Sequence, residues 1–125
     1  MKLEYKNIDV SKLDLGLRHE YVPTTSFNMS LNEKERMVID CEYFRVGEKM
    51  SFNEVSADGT ATMDFRKIFL KKVKGIRNFE FNGKPVTTSE EFLKFPGVGE
   101  MDLIVMNVVL HIINADELTE DEAKN

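Results

Sequence analysis

Three observations in this 125-residue chain predict an α+β fold, a small antiparallel β-sheet or sandwich body followed by two C-terminal helices. Short β-branched and aromatic runs of alternating polarity occupy much of the first two-thirds. An Asn82-Gly83 turn signal follows one such run. Beyond it lie two helical signals in succession, a Thr-initiated capped segment and a long apolar one. A chain of this length buries a core as one domain without disulfides or metals. The reading assigns residues 21–116 to that domain, 1–20 to an N-terminal arm and 117–125 to an acidic tail.

Residues 1–20 are polar and irregular, with Leu13, Leu15 and Leu17 alternating around Gly16, as in an arm that orders against a neighbour. Pro23 marks the start or edge of a strand. In "SFNMSL", Phe27, Met29 and Leu31 alternate with polar residues, which predicts a half-buried strand. Ser30 and Glu33 have capping-box spacing and open a helical turn through "NEKER". Val38–Val46 is β-branched and aromatic and reads as a strand. Gly47-Glu48 then turns it into "KMSFNEV" as a hairpin, and "SADG" (Ser56 to Gly59) is a further turn.

Phe65, Ile68, Phe69, Val73 and Ile76 share a helical face, although Met63 and Phe65 could equally begin a strand; the reading takes a helix over 62–72 and a strand over 73–82. Phe79 and Phe81 face one way in that strand. Thr87 and Thr88, each with a Glu three residues on, predict a helix over "SEEFLKF" that stops before Pro96-Gly97. A final helix spans Glu100–Asn114. Thr119 and Glu122 repeat the capping spacing in the tail.

Net charge is −5, which argues against nucleic acid as a partner, since phosphate contacts need a Lys/Arg excess. The one basic cluster, Arg66, Lys67, Lys71, Lys72, Lys74 and Arg77, reads as the solvated face of an amphipathic segment ahead of a patch for nucleic acid or an acidic partner. The N-terminus lacks the apolar core of a signal peptide. Met101–Ile113 is too short to span a membrane. The chain therefore reads as an intracellular protein with no membrane partner.

No constellation declares a chemistry. Cys41 has no histidine within ten residues and reads as a small buried hydrophobe. His19 sits in a polar stretch and His111 on the polar stripe of the last helix, with no nucleophile elbow near either. Asp40 with Glu42 and Asp116 with Glu117 are surface-type carboxylate pairs, and no metal-ligand spacing occurs. "PGVGE" lacks the residues of a phosphate cradle and reads as an inter-helix turn. The expectation is a protein that is not an enzyme and needs no cofactor or metal; an enzyme centred on His111 or Cys41 is the minor alternative.

The last helix exceeds the ordinary pattern. Positions 100, 107, 111 and 114 form a narrow polar sector, and almost everything else is apolar, well beyond the ~100° stripe of a surface helix. Either it is the central core helix or one side meets another subunit. On the second reading the contacts are Met101, Ile104, Val105, Met106, Val108, Val109 and Ile112.

In order, "GIRNFEFNGKPV", "TTSEEFLKFPG", the apolar helix and "ADELTEDEAKN" resemble the layout of small proteins from tailed-phage and prophage morphogenesis modules. Tail assembly chaperones and their small tail or head–tail neighbours are the nearest in pattern. The resemblance spans roughly Phe65–Asn125 and extends to "PTTSFNMSLNEKE". It implies a non-enzymatic protein that acts by binding and polymerising, in the host cytoplasm or within a phage-like particle. A chaperone of this kind shields the tape measure protein and recruits tube subunits, whereas a structural component stays in a ring. The partners so implied are further copies of the chain and other tail proteins. The alternative outside any phage context is a binding module using the basic cluster.

Overall fold

The computed structural model describes residues 18–115. Residues 1–17 of the arm expected over 1–20, the acidic tail, the Asp116–Glu117 pair and the Thr119–Glu122 spacing lie outside the described residues. In chain order the elements begin with β1 (Arg18–Tyr21), α1 (Ser26–Ser30), β2 (Val38–Glu42), β3 (Asn53–Val55) and β4 (Ala61–Met63). They continue with α2 (Phe65–Lys72), β5 (Val73–Arg77), β6 (Glu80–Phe81), β7 (Lys84–Pro85), α3 (Ser89–Leu93) and α4 (Met101–Ala115). The fold is α+β, as the sequence predicts.

The main sheet has the order β1-β2-β5, with both pairs antiparallel, and two short ribbons, β3-β4 and β6-β7, lie outside it. It is a sheet with ribbons, not a sandwich. Register sets His19 opposite Cys41, Tyr21 opposite Ile39 and Ile39 opposite Ile76. Because side chains alternate across a strand, one face carries those residues toward the helices. Ile39 and Cys41 are fully buried there, with Ile68 and Phe69 of α2 and Val108, Val109 and Ile112 of α4. The other face carries Glu20, Asp40 and Arg77, joined by ion pairs of 2.9 Å from the guanidinium to each carboxylate.

Local chemistry explains the best-predicted stretch. Asn82 and Gly83 both take positive φ, +52° and +79°, the conformation a two-residue hairpin turn needs, and Phe81 pairs with Lys84 across it. The Thr88 hydroxyl accepts from the Glu91 N–H at 3.2 Å and caps α3. At Gly97 a Cβ would stand 2.7 Å from an Asp102 carboxylate oxygen, so a larger residue there requires that exposed carboxylate to swing aside.

Elsewhere tertiary contacts override the pattern. "SFNMSL" is the helix α1, not a strand. Its buried residue is Asn28, whose amide holds the Pro23 and Met37 carbonyls and the Met37 N–H, while Phe27 and Met29 face outward. Ser30 donates to the Phe27 carbonyl instead of capping the 3-10 turn at Glu33–Glu35. The strand expected over Val38–Val46 ends at Glu42, and Glu48–Phe52 is a 3-10 helix, so no hairpin joins them; β2 pairs with β1 and β5 instead. Met63 belongs to β4, and α2 starts at Phe65 behind an Asp64 cap. The strand expected over 73–82 breaks at Asn78, which has φ +58°. Its side chain donates to the Lys34 and Arg36 carbonyls. The arm boundary also moves, because Arg18, His19 and Glu20 already lie in β1.

Candidate functional site

Helix α4 has three sides, and they decide what the candidate contact residues can do. Met101, Ile104, Val108, Val109 and Ile112 are buried in the chain's own core, and Val105 is half-buried against it. These six are occupied within the chain and cannot also form an open contact surface. Of the seven residues picked as contacts, only Met106 is exposed.

Of the polar sector, Glu100, Asn107 and His111 are half-buried against another segment, while Asn114 is exposed. The segment from β1 to α1 runs antiparallel along it. Glu100 accepts from the Phe27 N–H at 3.1 and 3.2 Å. The Asn107 oxygen accepts from the Tyr21 hydroxyl at 2.7 Å and the Thr24 N–H at 3.0 Å, and its NH2 donates to the Thr24 hydroxyl at 2.9 Å. His111 stacks on Tyr21 with ring centroids 3.8 Å apart. Its Nε2 meets the Nε2 of His19 at 2.7 Å. One ring must donate and the other accept, so the contact exists only while at least one imidazole is neutral. Burial, and secondarily the neighbouring His19, pull His111 down to about 4; burial also lowers His19. A neutral, hydrogen-bonded seam thus fastens β1 to α4.

The third side is open and apolar. Leu103, Met106 and Leu110, spaced i, i+3, i+7, are 54%, 50% and 44% exposed. That spacing puts them in one row along the helix. Asp102 is the only Asp, Glu, Lys or Arg between 101 and 115, so little charge interrupts it.

The basic cluster is not a free patch. Lys72 is fully buried, with its ammonium 2.5 Å from Glu48 and 3.2 Å from Glu42. Lys71 pairs with Glu48 at 3.4 Å and Lys74 with Glu42 at 3.7 Å. Arg77 holds Glu20 and Asp40, and Arg66 lies 3.4 Å from the Leu93 carbonyl. Lys67 is exposed at the start of α2. Burial alone would raise the Glu48 carboxyl. Hydrogen bonds from Lys72 and the Arg45 N–H, with the Lys72 charge, outweigh it and bring the group to about 2. The carboxylates of 42 and 48 are thus structural partners of the lysines.

Cys41 is fully buried, and burial with the adjacent Asp40 pushes its thiol up to about 12, which holds it protonated at neutral pH. Among the described residues no group of three or more His, Cys, Asp or Glu could hold a metal, and no helix is long and apolar enough to cross a membrane. Sequence reasoning missed the row at Leu103 and Leu110. The buried residues Met101, Ile104 and Val108 have the same spacing and are equally apolar, so no signal in the sequence separates the two rows. Comparison with protein-family models, characterised proteins and solved structures finds no match to this chain.

Proposed function

We propose that this chain is a non-enzymatic assembly protein of the tailed-phage kind, closest to a tail assembly chaperone, acting through protein–protein contacts. The observation that supports this reading is the open row Leu103, Met106 and Leu110 on a helix whose other two sides are occupied. Each of these residues is about half exposed, so covering all three yields roughly 3 kcal/mol by apolar area. Association costs at least ~4 kcal/mol in lost freedom. The row is therefore one contact among several, as in a repeating assembly or on an extended apolar partner, and not a tight dimer by itself. The partners are further copies of the chain and tail proteins such as tape measure or tube subunits. A structural ring component uses the same row and is the second reading.

Light scattering on the full chain tests it. Wild type should show a mass above the 14.4 kDa monomer that rises with concentration, or form a complex with a tape measure segment. Leu103→Asp and Leu110→Asp should stay folded and lose both, whereas Val109→Asp should unfold. Association unchanged in the two folded variants, or a wild type that forms neither species, overturns the reading.

A further inference from the structure

The loop that joins β6 to β7 carries the sequence's only asparagine followed by glycine, Asn82-Gly83. Both residues are exposed, and there is open space around Gly83, where a Cβ would meet no atom within 4 Å. Among the described residues neither the Asn82 side chain nor the Gly83 N–H makes a hydrogen bond. Other asparagines are held. Asn28 is engaged at both ends of its amide by Pro23 and Met37, Asn78 donates to the Lys34 and Arg36 carbonyls, and Asn107 is bonded to Tyr21 and Thr24.

Glycine in the second position has a chemical consequence. The side-chain amide carbon of an asparagine lies within reach of the backbone nitrogen of the next residue, and a side chain on that residue crowds the approach. Glycine has none.

The ribbon that holds the pair is slight. β6 and β7 are joined by two residue pairs and lie outside the main sheet, and a two-stranded ribbon is marginally stable by itself. Beyond those pairs the Val86 N–H donates to the Phe79 carbonyl at 3.0 Å, and the Phe81 ring stacks on Phe95 with centroids 4.4 Å apart. The closed turn fixes Asn82 at φ +52°. Opening of the ribbon releases that constraint and lets the amide carbon swing onto the Gly83 nitrogen.

We propose that Asn82 is a site of spontaneous deamidation, reached when the β6–β7 hairpin opens, and that the product keeps the hairpin open. The Gly83 nitrogen, losing its proton to solvent base, attacks Cγ of Asn82. The N–Cγ bond forms, the Cγ–Nδ2 bond breaks, and Nδ2 leaves as ammonia, closing a cyclic imide. Water then adds to one of the two imide carbonyls. Addition at Cγ gives aspartate. Addition at the main-chain carbonyl carbon gives isoaspartate, in which the chain runs through the former side-chain carbon. The net change is amide plus water to carboxylate plus ammonium, with no oxidation or reduction. Isoaspartate adds a methylene to the main chain, so the two-residue turn no longer matches the twist of its strands and the Phe81–Lys84 pairing is lost. The proposal does not depend on the row on α4.

The test ages the full chain in mildly alkaline buffer and follows it by mass spectrometry. The tryptic peptide 78–94 should gain one dalton, with fragment ions placing the change on Asn82 and not on Asn78. Isoaspartyl methyltransferase should label the aged chain, and the labelled fraction should lose amide-exchange protection at Phe81 and Lys84. A synthetic peptide of residues 79–86 reports the rate of the open state, and the folded chain should react about 5–30-fold more slowly. Asn82→Gln should abolish the gain, and Phe81→Ala, which removes the stack on Phe95, should raise the rate toward that of the peptide. An unchanged Asn82 in the folded chain while the peptide reacts, a folded rate equal to the peptide's, a Phe81→Ala rate equal to wild type, or a mass gain without isoaspartate overturns the proposal.

Discussion

Two polar clusters hold this molecule together by opposite means. Around Lys72 the groups are charged, and one ammonium is shared by Glu42 and Glu48. Along α4 they are neutral, a chain of hydrogen bonds and stacked rings from Thr24 through Asn107 and Tyr21 to His111 and His19. The first joins elements close in sequence, residues 42–48 with 71–74. The second joins residues 83 to 92 positions apart. A charged cluster is intolerant of losing one member, because the remaining charges stay buried. A neutral seam is intolerant of gaining a charge. The same contrast predicts different responses to mutation and to pH.

The largest effect should come from Lys72→Met, which preserves packing but leaves two carboxylates uncompensated. Breaking a buried pair costs about 3–5 kcal/mol, and because Glu42 and Glu48 are 13% and 15% exposed at their side chains the low end applies, about 3 kcal/mol. Urea unfolding measures it, and adding Glu42→Gln with Glu48→Gln should restore most of the loss. A neutral Lys72→Met would erase the contrast.

Next comes pH. Both histidines bind protons less readily in the folded chain than in the unfolded one. The unfolded state therefore takes up protons first, so stability is full above pH 6.5 and falls as pH drops toward about 4. The loss should be about 2 kcal/mol, less than the full ~1.36 kcal/mol per pH unit because the rings are part-exposed. Glu48 acts in a lower window: its contribution is present above 4.5 and drains as pH falls to about 2. Thermal melts across pH should show two steps, with His111→Phe flattening the upper and Glu48→Gln the lower. A single merged step would show that the clusters are not independent.

Tyr21→Phe removes one neutral hydrogen bond and keeps the stack, so it should cost about 1 kcal/mol in denaturant unfolding. The smallest effect sharpens the contrast from outside both clusters. Leu110→Ser, on the open row, should shift monomer stability by no more than about 0.5 kcal/mol, and a larger loss would place that residue in the core.

What was legible in the sequence followed the range of the interaction. Asn82-Gly83 and Thr88 were read correctly because a positive φ or a cap bond involves residues within three positions. Alternation misled at Phe27, Met29 and Leu31, since the anchor there is Asn28 and its partner Met37 lies on another segment. The run Arg66–Arg77 looked like a patch because its acids come from Glu20, Asp40, Glu42 and Glu48, which no window joins to it. On α4 the departure from an ordinary amphipathic helix was legible, but not which side faced what. Its polar sector resembled a solvated stripe, and the covering segment begins some 90 residues earlier. The outward row was hidden among equally apolar core residues.

The antiparallel run of β1 and α1 along α4 has a consequence for how the protein is made. Tyr21 leaves the ribosome 86 residues before Asn107. At ~5–20 residues per second, the N-terminal strand waits roughly 4–17 s for its partner. Through that interval β1 can pair only with β2, and its tyrosine and histidine remain wet. Helix α4 thus closes the fold after the sheet and α2 have been made, and a chain stalled before residue 107 would hold a sheet whose apolar face is covered by α2 without α4.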